Sequence, residues 1–138
     1  MNYGRMVLAT VAGAVVFFTY GFVVHGRLIA KDYIPYPEGV YRGGAEAQSH
    51  TPFALIGLFA AILVFTIVYG KICGRERSAG QGARMGLLFG VFMVGAFVAV
   101  NYATLHISGK LALELAVSEL IEWTLVGIVV GLVYKPAP

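Results

Sequence analysis

The chain has 138 residues, of which 59% are hydrophobic and 12% charged, with a formal net charge of +3. Soluble domains carry about 25% charged residues, and a globule this small could not bury the surplus apolar surface, so a water-soluble fold is excluded. The basic residues sit at the ends of apolar runs, which is a topology signal and no nucleic-acid footprint, and the single cysteine, Cys73, excludes an intrachain disulfide.

The first apolar segment runs from about Met6 to about Val24 with no charge inside it. It is longer than the roughly 7–15-residue hydrophobic region of a signal peptide, and His25-Gly26-Arg27 offers no small-x-small cleavage site, so the segment reads as a transmembrane helix. Residues 26 to 50 are the longest polar stretch. Pro35-Tyr36-Pro37-Glu38-Gly39 is turn chemistry, and Tyr33, Tyr36 and Tyr41 around it suit the headgroup level of a bilayer. Ala45 to Ser49 has the composition of a short helical lead-in. The second segment, about Pro52 to Ile72, is expected to start with Thr51 as N-cap and Pro52 at the first helical position.

Residues 71 to 84 form a basic connector with Lys71, Arg75, Arg77 and Arg84 against Glu76. The positive-inside rule places this connector in the cytoplasm, and four spans then put both termini there too. With Arg5 and Lys135 the inner side holds six Lys and Arg, against four outside: Arg27, Lys31, Arg42 and Lys110. A cytoplasmic Cys73 stays a reduced thiol. The third segment runs from about Met85 to Leu105. Gly82, Gly86 and Gly90 precede and open it at a spacing of four, which places them on one helix face; Gly127 and Gly131 repeat that spacing in the last segment. Such faces let backbones approach closely, between helices of one chain or across an oligomer interface. Ser108-Gly109-Lys110 reads as a tight outer turn, and the fourth segment runs from about Leu111 to Tyr134. Each span is about 20 residues, enough to cross a roughly 30 Å hydrocarbon core, and each must be helical because lipid offers no partner for an open strand edge. The fold expected is an all-α integral membrane four-helix bundle with cytoplasmic termini, in the cytoplasmic membrane.

An internal repeat is legible. Segments one and three begin Arg-Met-x-Leu at Arg5 and Arg84. At an offset of 65, Leu55, Ile56, Val64, Val68 and Tyr69 match Leu120, Ile121, Val129, Val133 and Tyr134. Two hairpins that both start inside form a parallel repeat about an axis along the membrane normal. Gly57 of the first hairpin then corresponds to Glu122 of the second, so the first half is apolar where the second is acidic.

The candidate site lies in the last span. Glu114, Ser118, Glu119 and Glu122 make one polar face at roughly 100° per residue, with Glu122 near the midplane and Glu114 near the outer interface. A charge at the centre of a lipid-facing helix costs at least about 2.5–3.5 kcal/mol, so this face should look into the bundle. Asn101, Tyr102 and Tyr20 lie at similar depth and are the expected partners. His25, His50 and His106 all fall on the outer side, where imidazole and carboxylate together would suit zinc, copper or iron, although no local histidine spacing supports a metal. Glu119-x-x-Glu122 has the spacing of di-iron carboxylates, but the matching Glu-x-x-His motifs are missing. There is no phosphate-binding glycine loop, no nucleophile elbow and no C-x-x-C, so no enzyme class and no cofactor is specified.

Tyr41-Arg42 in the outer loop, the basic connector, Gly82 to Gly90, Asn101-Tyr102 and the closing Trp123 to Tyr134 give a feature order that resembles small bacterial four-helix membrane proteins of uncharacterised families. That resemblance implies a fold and no established activity. Three functions are expected in this order: a non-catalytic subunit or interaction protein of a membrane assembly, homo-oligomeric or with other membrane subunits; a small transporter or channel using Glu119 and Glu122; and a metal or cofactor protein using the outer histidines.

Overall fold

The computed structural model describes residues 2–33, 40, 42, 44–73 and 78–134. Among them there is no strand. Helix α1 is Tyr3–Val23 and continues through a π-helical turn, Val24–Leu28, to a short 3-10 turn at Ala30–Asp32. Helix α2 is Gly44–Ile72. Helix α3 is Ala79–Met93, prolonged by π-helical Val94–Ala99 into α4, Val100–Thr104; α5 is Gly109–Val133. Four spans, Tyr3–Leu28, Gly44–Ile72, Ala79–Thr104 and Gly109–Val133, are long and apolar enough to cross a membrane. The chain is therefore a multi-pass membrane protein built as a four-helix bundle. The Pro35–Gly39 turn, Tyr36, Tyr41, the connector residues 74–77 and Lys135 fall outside the described residues.

Three helices open on a side-chain cap. Asn2 Oδ1 accepts from Arg5 N, Ser78 Oγ from Gln81 N and Ser108 Oγ from Leu111 N, each at 3.1 Å. Each cap satisfies one backbone donor that the first turn leaves without a carbonyl. The tight turn expected at Ser108-Gly109-Lys110 is thus the cap and first residues of α5.

The expected start of the second span needs correction. Pro52 lies inside α2, and Thr51 is no N-cap: its hydroxyl donates back to Ala47 O at 3.0 Å. The lead-in and the span are one helix that begins at Gly44, whose φ of +55° breaks the chain before it. Proline removes one backbone bond, but membrane helices tolerate it where side chains, water or neighbouring turns take up the freed groups. At about 1.5 Å per residue the 29 residues of α2 span about 43 Å, well beyond a roughly 30 Å core. The third span also starts earlier than Met85, at the capped Ala79.

Helix α5 is the central element. It packs most extensively on α3 and next on α1; α2 rests on α1 and meets α3 only slightly. The half nearest the termini closes on Ile62, Phe65, Tyr69, Trp123, Val126, Val130 and Tyr134. Trp123 is its hub, with ring centroids 4.7 Å from Phe89, 5.7 Å from Phe17 and 5.8 Å from Phe65. A smaller apolar cluster of Ile29, Val98, Ile107, Leu111, Ala112 and Leu115 closes the opposite end, here termed the loop end. Tyr69 and Tyr134, which the offset of 65 pairs, meet edge to face at 6.3 Å. The packing around them is unequal, because α3 and α5 are far more closely joined than α1 and α2.

The five glycines of the spaced pattern lie between α3 and α5. Gly82, Gly86, Gly90, Gly127 and Gly131 are all buried. A Cβ on Gly82 would strike Gly127 O, one on Gly86 would strike Trp123 O, and one on Gly90 would come 3.0 Å from Leu120 Cα. Backbone meets backbone along this seam, and only glycine permits that approach.

Candidate functional site

Between the two apolar clusters α5 carries Ser118 and Glu122, both buried and both turned to α1. Glu122 is 1% exposed, and its Oε1 has no hydrogen-bond partner among the described residues. Facing it is Gly21 of α1: a Cβ there would lie 3.3 Å from Glu122 Oε1. The absence of a side chain at Gly21 is what gives the carboxyl group room. An orphaned polar atom at such burial costs about 1–3 kcal/mol, more if charged, so it calls for an account beyond packing.

One turn toward the loop end, Ser118 Oγ lies 3.3 Å from His25 Nε2, a contact between residues 93 apart in sequence. His25 Nδ1 is 3.1 Å from the Tyr33 hydroxyl. Which ring nitrogen donates depends on the tautomer. His25 sits in the π-helical turn at the end of α1, and such turns re-aim side chains and recur at functional sites. Serine, histidine and tyrosine thus form a continuous polar thread from the level of Glu122 toward the loop end.

The acidic face divides. Glu119 is half-buried and held on its own helix, its Oε2 accepting from Trp123 Nε1 at 3.0 Å. Glu114 belongs to an ion cluster at the loop end. Lys110 Nζ lies 2.5 Å from Asp32 Oδ1 and 3.4 Å from Glu114 Oε1, with the lysine side chain 63% exposed. Solvated pairs of this kind contribute little stability, about 0–1 kcal/mol, but this one ties the 3-10 turn to α5.

The expected partners stand elsewhere. Tyr20 borders, with Glu114 and Ser118, a lateral cavity of about 360 Å3 between α1 and α5, and makes no hydrogen bond with its side chain among the described residues. Asn101 is half-buried and Tyr102 exposed in α4; neither side chain bonds to the glutamates among the described residues. The reason is packing: α3 lies on the glycine side of α5, so α1 covers the side that carries Ser118 and Glu122. The histidines do not converge. His50 is exposed on α2, bonded to Glu46 O at 2.9 Å, and His106 is exposed after α4. No group of three or more His, Cys, Asp or Glu among the described residues could hold a metal ion.

Sequence reasoning missed the Trp123–Glu119 bond, Gly21, Asp32 and the Ser118–His25 contact. The i,i+4 spacing of Glu119 with Trp123 and of Lys110 with Glu114 was a readable signal. Nothing local points from α5 to Gly21, His25 or Asp32.

A family model described as "Protein of unknown function (DUF1761)" matches residues 8–135. No curated protein and no solved structure matches the chain.

Proposed function

The chain belongs to the DUF1761 family, and we propose that it is a small proton-handling membrane protein, a transporter or channel whose working group is Glu122. The observation that carries this reading is the Glu122 carboxyl group, buried at mid-helix with one oxygen that no described residue satisfies. Intramembrane acids are expensive and are retained where protons or ions pass. Glu122 is the group that takes up the proton and passes it on. The ligand is the proton. The orientation that goes with this reading puts the connector at 73–78 and both termini in the cytoplasm, in the inner membrane, and the loop end outside.

The test is proton flux into proteoliposomes holding a pH-sensitive dye, driven by a potassium diffusion potential. Wild-type protein should acidify the lumen faster than empty vesicles, and Glu122→Gln should remove that excess. Equal flux from Glu122→Gln and wild type would end the reading.

A second reading, a subunit of a membrane assembly, has one observation of its own. The loop-end half of α2 leaves Phe53 and Ile56 74% and 70% exposed. Homo-oligomeric or hetero-oligomeric contacts would form there and not on the glycine faces, which are occupied within the chain. Mass measurement of the assembly in mild detergent tests it; a lone monomer counts against it.

A further inference from the structure

We propose that His25 relays the Glu122 proton to the loop end, across a gap that Gly21 keeps open. This deepens the reading of Glu122 as the proton site and rests on it. The position a Cβ would take on Gly21 is 3.3 Å from Glu122 Oε1 and 3.9 Å from His25 Cδ2. The carboxyl oxygen and the imidazole ring therefore face the same small volume, which the glycine leaves empty. A water there would have Glu122 Oε1, Ser118 Oγ and His25 Nε2 as polar partners, the two to four that a buried water needs.

Toward the termini, the ring of Trp123, the residue after Glu122, packs against Phe65 and Phe89. Toward the loop end, His25 Nδ1 reaches the Tyr33 hydroxyl, and Tyr33 follows Asp32, which carries the Lys110 bridge at the surface. The transfer balances. The carboxylic acid O–H of Glu122 breaks, and its proton passes through the water to His25 Nε2. The proton on Nδ1 passes to the Tyr33 oxygen, whose own proton moves on to the loop end. Glu122 is left as a carboxylate, His25 remains neutral in its other tautomer, and one proton has left at the loop end. The relay is the loop-end half of the path; run in reverse, it brings a proton from the loop end to Glu122. Imidazole is suited to this because each ring nitrogen can take or give a proton.

The same proteoliposomes test the relay. His25→Ala should lower proton flux at least about tenfold, and added imidazole should restore it. His25→Gln, which keeps a polar side chain of similar reach but cannot relay, should lose flux without rescue. Gly21→Val should lose flux while its circular dichroism still shows the helices of the wild type. If His25→Ala keeps wild-type flux while Glu122→Gln has none, the relay is wrong and the Glu122 reading stands. Flux lost in His25→Ala and not recovered with imidazole also overturns the relay, as does full flux in Gly21→Val or His25→Gln. If Glu122→Gln itself keeps its flux, the underlying reading fails first.

Discussion

Replacing Gly86 by alanine tests the seam between α3 and α5. Its Cβ would meet Trp123 O, and would lie 2.9 Å from Trp123 C and 3.0 Å from Thr124 Cα, all backbone atoms of α5. Carbon atoms rest at about 3.5–4.0 Å, so the helices must part by roughly 0.5–1 Å, and a gap of that size forfeits a quarter to a half of each dispersion contact. Backbone cannot rotate aside as a side chain does, so the cost falls at the top of the overpacking range, about 3 kcal/mol. The greater helix propensity of alanine returns at most about 1 kcal/mol, leaving a net loss of about 2 kcal/mol. Gly57→Ala is the control, because nothing lies within 4 Å of a Cβ there. Unfolding of the purified protein in mixed detergent micelles, followed by circular dichroism, measures both. Gly86→Ala as stable as wild type, or Gly57→Ala equally destabilised, would refute the reasoning.

Two further outcomes follow from the termini end. Tyr134→Phe should be neutral or stabilising by about 1 kcal/mol in the same unfolding measurement, since the buried Tyr134 hydroxyl has no partner among the described residues and its removal relieves a desolvated group; a loss above that size would show a bond to it. Cys73 should label with a membrane-impermeant maleimide in inverted vesicles and not in intact cells, if the connector is cytoplasmic. Burial pushes the Cys73 thiol up, so less thiolate is present at a given pH and labelling should be slower than for free cysteine, rising about tenfold per pH unit below its pKa. Labelling from outside intact cells reverses the orientation.

The four spans were legible because a bilayer leaves backbone groups only helical partners, so length and apolarity alone decide them. Gly82, Gly86 and Gly90 share a face by their spacing, and Ser118 and Glu122 share another, because one turn of helix brings every fourth residue into line. The start of α2 was not legible: Pro52 and Thr51 carry the local marks of a first turn, yet the helix runs through them from Gly44. Local chemistry allows a boundary there and does not require one.

Periodicity determines which residues look the same way; it does not say which helix covers them. From the sequence, α5 has an acidic face at membrane depth, and partners of equal depth could be named on any of three helices. Only the tertiary structure turns the glycine side of α5 to α3 and the acidic side to α1, and so brings Gly21 and His25 to Glu122 and Ser118, in place of Asn101 or Tyr102. The reason is steric. Glycine faces let α3 and α5 approach backbone to backbone, that contact sets the rotation of α5, and the side left over is the one α1 must cover.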